Sequence, residues 1–363
     1  MRRWLFSVHL SIAALAGAFF VVLGMTGSIL AFEAPLDHIL NAKLYYISPS
    51  TRTLPLSQII RSVKAGFPSE EVVAVTFADS PKLAWQVALP SGIACVNPHT
   101  GRVLGLRRRG QTILGFTRSL HVALASGNIG RSMIRWSNLA AVLLLLSGLG
   151  LWWREGRIRL RKMDGTRRSW SDLHKAIGVV FSVLLLIASG TGVLISFEGP
   201  VSQAIHAFKG SDPIAPSRAS VPEAGPTATY IEVDEALAVA KALFPNAIPA
   251  RMQMPAYGGT YKVLLIERRF LRSDIERGVT IDPYSGKVLL VSSAANLSFA
   301  QRMFAANEAV HTGDAFGVLG RALMALAGVM VLPQAVSGLT MWWKRTTLKK
   351  LSRAHSAREW KSI

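Results

Sequence analysis

The chain has 363 residues, half of them hydrophobic, and a formal charge of +20. So basic and so apolar a chain suits a nucleic-acid binder or a membrane protein, and the distribution decides for the second, because the Lys and Arg residues gather beside long apolar stretches. The single cysteine, Cys95, excludes an intrachain disulfide, a Cys-ligated zinc site and an iron–sulfur cluster.

Arg2 and Arg3 precede the first apolar stretch, residues 8–32, which is too long for the h-region of a signal peptide. A polar segment follows. It opens with a helix predicted over 56–66, preceded by Pro55 and capped near Thr53. Strands are predicted over 72–77, 83–89, 93–96 and 102–106. Between the last two lies Asn97-Pro98-His99-Thr100-Gly101, a type I turn closed by a left-handed glycine, hence a hairpin. His121 sits on a short amphipathic stretch, and a glycine-containing break at 127–130 separates it from the second apolar stretch, 134–153. Basic residues, among them Arg154, Arg157, Arg159, Arg161, Lys162, Arg167 and Arg168, fill the linker to the third, 177–197. The second polar segment contains a Pro/Ser/Ala-rich linker at 210–227, then a helix at 233–244 and strands at 251–254, 261–268 and 278–281. Asp282-Pro283-Tyr284-Ser285-Gly286 repeats the hairpin turn. His311 precedes another glycine-containing break and the fourth stretch, 317–343, in which Pro333 predicts a kink and Gln334 needs a partner within the bundle.

Each apolar stretch reaches the roughly 20 residues needed to cross a bilayer. The basic clusters put both termini and the 154–173 linker in the cytoplasm, with 33–130 and 198–315 outside. Trp152, Trp153, Trp342 and Trp343 mark the inner interface.

One pattern is written twice. The stretch after His9 matches the stretch after His174 at a constant separation through Gly27/Gly192, Phe32/Phe197, Glu33/Glu198 and Pro35/Pro200. His121 matches His311 at a second separation, which also relates Gly130-Arg131 to Gly320-Arg321 and SGLGLWWR (from Ser147) to SGLTMWWK (from Ser337). The expected architecture is a four-transmembrane-helix bundle with an internal pseudo-twofold repeat, plus two α+β outer domains. Its boundaries are spans at 1–32, 131–153, 174–197 and 316–343, outer domains at 33–130 and 198–315, a basic linker at 154–173 and a basic tail at 344–363.

A pseudo-twofold axis would bring His9 to His174 at the inner side and His121 to His311 at the outer side. Two neutral imidazoles make a six-coordinate haem suited to electron transfer, so the expectation is two haem b groups; no Cys-x-x-Cys-His allows covalent attachment. The alternative for each histidine is an interfacial residue with no ligand. Arg131 and Arg321 are candidates for haem propionates, with interfacial anchoring as the alternative. Glu33 and Glu198 end matched spans and could orient a histidine or relay protons, or could equally be polar residues at helix ends. His38 and His206 fall out of register, His99 faces Tyr284 in the repeat, and His355 lies in the basic tail. No catalytic residue is assigned. No dinucleotide fingerprint, P-loop, HExxH or GxSxG occurs, so if the protein is a reductase its electrons must come from a quinol or a cytoplasmic flavin reductase.

The helix-plus-hairpin units resemble PepSY domains. With the His9 and His174 spans carrying TG, the D/N-P-x-[ST]-G hairpins, His311-Thr312-Gly313 and the SGL-x-x-WW[RK] exits, nearly the whole chain resembles the PepSY-associated transmembrane family. The resemblance implies an iron-regulated protein of the bacterial inner membrane with its PepSY-like domains in the periplasm. Some members look like di-haem reductases of ferric siderophores, which implies an oxidoreductase that releases Fe(II) from a ferric siderophore. The alternative is a binding or regulatory module that the spans anchor. Neither reading involves nucleic acid.

Overall fold

A computed structural model describes the chain at residues 2–108, 112–153, 155–159, 162–209, 229–255, 259–267, 275–293 and 299–359. The linker expected at 210–227 lies outside these. In chain order the elements are α1 (Arg2–Leu30), α2 (Glu33–Leu40), α3 (Ala42–Tyr45), α4 (Leu56–Gly66), β1 (Ala74–Thr76), β2 (Trp85–Ala88), β3 (Gly92–Val96), β4 (Val103–Arg108), α5 (Ile113–Ala123) and α6 (Gly127–Trp153). Then come α7 (Arg167–Ser196), α8 (Glu198–Lys209), α9 (Val233–Leu243), β5 (Ile248–Gln253), β6 (Tyr261–Glu267), β7 (Ile275–Ile281), β8 (Val288–Ser293), α10 (Phe299–Thr312) and α11 (Gly317–Glu359). They form two compact units: Met1–Glu33, Phe116–Val201 and Met303–Ile363 make the first, Ala34–Gly115 and Ser202–Arg302 the second.

In the helical unit, four stretches among the described residues are long and apolar enough to cross a membrane: Arg3–Leu30, Gly127–Trp153, Arg167–Ser196 and Asp314–Thr347. Their packing is inverted relative to a water-soluble bundle. Leu15 is 81% exposed and Leu339 65%, while Ser337 is fully buried and Thr26, Ser137, Ser147 and Ser182 nearly so. Hydrocarbon accepts the outward Leu and Val side chains, and the small polar residues face neighbouring helices. α1 packs against α6 and α11, and α7 packs against the same two, so α1 and α7 lie across the diagonal. α1 and α11 approach closely: a methyl group on Gly24 would sit 2.6 Å from the Gly328 carbonyl oxygen, and Ser28 Oγ donates to the Ala325 carbonyl at 2.7 Å. α11 continues through Pro333 and on into the basic tail, which is rich in Lys, Arg, Leu and Ala, all strong helix formers. α7 begins at Arg167, before His174, because Thr166 caps it: the Thr166 side chain accepts from the Ser169 amide at 3.3 Å. Hydrogen bonds from Thr166 and Ser169 hold the neighbouring Asp164 carboxyl down at about 2.

In the second unit, the two polar segments, expected as two domains, share one sheet. All eight strands pair antiparallel in the order β4-β3-β2-β1-β5-β6-β7-β8. The joint is β1 with β5, where Val75 faces Met252, Ala74 faces Gln253 and Thr76 faces Arg251. Beside it the Phe77 amide donates to the Ala250 carbonyl and the Met254 amide to the Val73 carbonyl, each at 2.9 Å. Separate four-stranded sheets would each expose the β1 or β5 edge; pairing them satisfies both. Leu56, Ile59 and Val63 of α4 and Val233, Ala236 and Ala240 of α9 pack into one core with Val75, Val87, Met252, Val263, Leu265 and Val279. Each such large side chain contributes roughly 1.5–3 kcal/mol on burial. Both predicted hairpin turns form: the Gly101 amide reaches the Asn97 carbonyl at 2.9 Å and the Gly286 amide the Asp282 carbonyl at 3.0 Å, with φ of 74° and 70° at the two glycines. α4 starts after Pro55, which offers no side-chain cap. Asp234 of α9 supplies it, accepting from the Leu56 amide at 2.6 Å and the Ser57 amide at 3.1 Å.

Candidate functional site

His9 on α1 and His174 on α7 each stand 17 residues before a threonine, Thr26 and Thr191. At 1.5 Å per residue these positions are about 25 Å apart along each helix, close to the thickness of a bilayer core. The diagonal arrangement of α1 and α7 turns the first two positions toward each other. The His9 and His174 ring centroids are 6.5 Å apart, with planes at 90°. Near the threonines, α5 brings in His121 and α10 brings in His311, with centroids 6.4 Å apart and planes at 47°.

Neighbouring groups fix which nitrogen of each ring carries hydrogen. His9 Nδ1 lies 3.1 Å from the Leu144 carbonyl and 3.0 Å from Ser147 Oγ. His174 Nδ1 lies 3.1 Å from the Gln334 carbonyl and 3.0 Å from Ser337 Oγ. A carbonyl only accepts, so both rings donate from Nδ1. Ser147 and Ser337 spend their own hydrogens on those same carbonyls, at 2.8 and 2.9 Å, and therefore accept from the imidazoles. The other two histidines follow the same logic. Thr26 Oγ1 donates to the Val22 carbonyl at 2.6 Å and accepts from His121 Nδ1 at 3.0 Å. Thr191 Oγ1 donates to the Ile187 carbonyl at 2.6 Å and accepts from His311 Nδ1 at 2.8 Å. All four neutral rings thus keep the lone pair on Nε2. Burial lowers the His121 imidazole to about 4 and also lowers that of His311, which keeps both neutral. Glycines make room for the rings: a methyl group on Gly148 would sit 3.1 Å from His9 Cε1, on Gly338 3.3 Å from His174 Cε1, and on Gly27 3.0 Å from His121 Cε1.

Two imidazole nitrogens bound to one metal ion at about 2 Å, each with its ring centre ~1.1 Å behind, give centroids about 6.2 Å apart. Both pairs have that spacing. Among the described residues no group of three or more His, Cys, Asp or Glu side chains could hold a metal ion. Two imidazoles at that spacing could be the two protein ligands of a metal that brings its other ligands with it.

The sequence profile described as the PepSY-associated TM region matches residues 6–345. The chain belongs to this family. No curated protein matches the sequence. The family match and the four apolar helices make it a multi-pass membrane protein.

In this PepSY-associated protein the remaining candidates are placed as follows. Arg131 donates to Asn128 at 2.9 Å and Arg321 pairs with Asp314, so each guanidinium is held within its own helix start. Glu33 pairs with Arg118, one turn before His121 on α5. His38 lies in the second unit, against Tyr45 with centroids 4.4 Å apart, at a cavity of about 410 Å³ that Phe77, Asp79 and Gln86 also line. His99 rests its ring nitrogens on the Arg52 and Pro81 carbonyls at 2.8 and 3.1 Å, a role in tying the hairpin turn down. The His206 and His355 side chains lie outside the described residues.

Reading residue types alone missed the groups that orient the histidines: Thr26, Thr191, Ser147, Ser337 and the carbonyls of residues 144 and 334. The signal was present, since these hydroxyls are the T of the duplicated TG and the S of the duplicated SGL. Arg135 was also missed. Its guanidinium lies 5.1 Å over the Phe197 ring and its buried Nε has no hydrogen-bond partner.

Proposed function

We propose that this protein is a membrane electron carrier that holds two haem b groups, one between His9 and His174 and one between His121 and His311. The supporting observation is that four imidazoles, held in one tautomer, are paired at 6.5 and 6.4 Å, a spacing compatible with two imidazoles bound to one metal ion. The repeat and the matched hydrogen bonds support a pseudo-twofold relation between the halves, with PepSY-like folds contributing to the common sheet. Held there by His9 and His174 and by His121 and His311, haem would supply one-electron transfer. The chain's own residues do the rest. Ser147, Ser337, Thr26 and Thr191 fix ring orientation and raise ligand basicity, as groups hydrogen-bonded to a metal-bound imidazole generally do. Arg135, with its unpartnered Nε, is better placed than Arg131 or Arg321 to take a carboxylate.

The basic clusters put His9 and His174 at the cytoplasmic face and His121 and His311 at the periplasmic face. Electrons then enter from a quinol or a cytoplasmic flavin reductase and leave on the outer side. The acceptor in this reading is a ferric siderophore. Hard oxygen donors hold Fe(III) far more tightly than Fe(II), so one electron per iron releases the metal.

The experiment is an absorption spectrum of purified protein, oxidised and dithionite-reduced, then anaerobic mixing with ferric siderophores and an Fe(II) trap. A Soret band that shifts on reduction, is lost in His9→Ala/His121→Ala, and reoxidises with formation of trapped Fe(II) is expected. Colourless protein from haem-replete cells overturns the cofactor reading. Haems that no ferric chelate reoxidises overturn the reductase reading and leave the anchored binding module. A periplasm-active reporter fused at Gly165 overturns the orientation.

A further inference from the structure

The two members of the His9–His174 pair differ in the side chains beside them. His9 and His174 make the same two Nδ1 contacts, to the backbone of residues 144 and 334 and to Ser147 and Ser337. Residue 144 is Leu, which offers His9 nothing beyond its carbonyl. Residue 334 is Gln, and its Nε2 lies 3.2 Å from His174 Nε2. Because His174 donates from Nδ1, its Nε2 accepts, and the carboxamide must present its NH2 group there. The other carboxamide atom, Oε1, is buried and has no hydrogen-bond partner. A second difference makes room for the first. One turn after His174 stands Gly178, where a methyl group would lie 2.8 Å from Gln334 Nε2. The matching residue one turn after His9 is Ala13. Glutamine and glycine on one side thus answer leucine and alanine on the other.

We propose that Gln334 is a latch on the His9–His174 site: its carboxamide occupies the ligating nitrogen of His174, and an incoming haem must displace it. The inference rests on the haem reading above. A group held by one hydrogen bond, with its other polar atom unpaired, is a displaceable partner and not a permanent one. His9, His121 and His311 have no such group on Nε2 among the described residues. The His121–His311 site therefore fills first, and the His9–His174 site is the weaker of the two.

The test is titration of haem-free full-length protein in lipid nanodiscs with haemin, followed at the Soret band. Wild type should show two phases, with the weaker removed by His9→Ala and the tighter by His121→Ala. Gln334→Leu, which copies residue 144, should tighten the weaker phase roughly two- to tenfold, the equivalent of one neutral hydrogen bond, and leave the tighter phase unchanged. Gly178→Ala pushes the carboxamide aside and should act in the same direction, which keeps the test open if the first variant folds poorly. A potentiometric titration adds a readout that packing alone would not move: Gln334→Leu should shift the midpoint of the weaker haem only. Two phases that Gln334→Leu and Gly178→Ala leave unchanged, or a Gln334→Leu variant that binds the weaker haem less tightly, overturn the latch while leaving the haem reading intact. Absence of haem uptake by wild type overturns the haem reading itself.

Discussion

Thr26→Val isolates the smallest part of the site that the haem reading depends on. Valine keeps the shape and branching of threonine, so α1 should be little disturbed. What is lost is an acceptor: the hydroxyl that takes the His121 Nδ1 hydrogen at 3.0 Å, in a residue only 7% exposed. The Leu23 carbonyl also accepts from the His121 imidazole, so the donor is not orphaned and the loss is that of one neutral hydrogen bond, about 0.5–1.5 kcal/mol. Ser147→Ala is the internal control. His9 loses its hydroxyl there and keeps the Leu144 carbonyl at 3.1 Å, so the expected cost is of the same size. Either loss corresponds to roughly two- to twelvefold in affinity. Thr26→Val should therefore weaken haem binding at His121–His311 about as much as Ser147→Ala weakens it at His9–His174. Haem titration of the two variants, with total haem per protein as a second measure, reads this directly. Unchanged binding in Thr26→Val would refute the assignment of Thr26 as an acceptor for His121.

Gly24→Val should disrupt the α1–α11 contact, because its first methyl-bearing carbon meets the Gly328 carbonyl oxygen at 2.6 Å; a lowered melting temperature in detergent is expected, and an unchanged one contradicts the packing. Asp234→Ala removes the cap of α4 and should cost about 1–2 kcal/mol, seen as faster hydrogen exchange at the Leu56 and Ser57 amides, whereas unchanged exchange there would deny the cap its role. Cys95 is buried and burial pushes its thiol up to about 11, so iodoacetamide at pH 8 should leave the folded protein unlabelled and label it in denaturant. The raised value also sets a pH dependence. The stabilisation is complete below about pH 9, where the unfolded thiol is still protonated, and up to roughly 2–3 kcal/mol of it is lost as pH climbs toward 11. Cys95→Ala should flatten that slope.

The helical register was legible because duplication is a one-dimensional signal. His9 and His174 start matched runs, so their meeting could be expected from spacing, as could that of His121 with His311. The hairpin turns at Asn97–Gly101 and Asp282–Gly286 were legible for a local reason, since proline and glycine at fixed places restrict the backbone. The seam between Val75 and Met252 was not, because nothing in a strand's own residues says which distant edge it will meet. Arg131 and Arg321 point the same way. Their contacts with Asn128 and Asp314, three and seven residues away, could not be read from their matched positions. Gln334 could be seen to need a partner, and the partner was a histidine 160 residues earlier in the chain.

That seam carries a further consequence. Val75 faces Met252, which stands at the corresponding place in the other half: Phe67-Pro68 and Phe244-Pro245 lie eight and seven residues before them. Two separate half-length chains could make the same antiparallel contact, each presenting the same edge to the other. Any substitution in such a homodimer would be inherited by both sides, so a carboxamide facing one histidine would necessarily face its mate. Joined in one polypeptide, the halves keep the shared seam and are free to drift apart in sequence. A single glutamine opposite a leucine is a difference that a homodimer of identical halves could not hold.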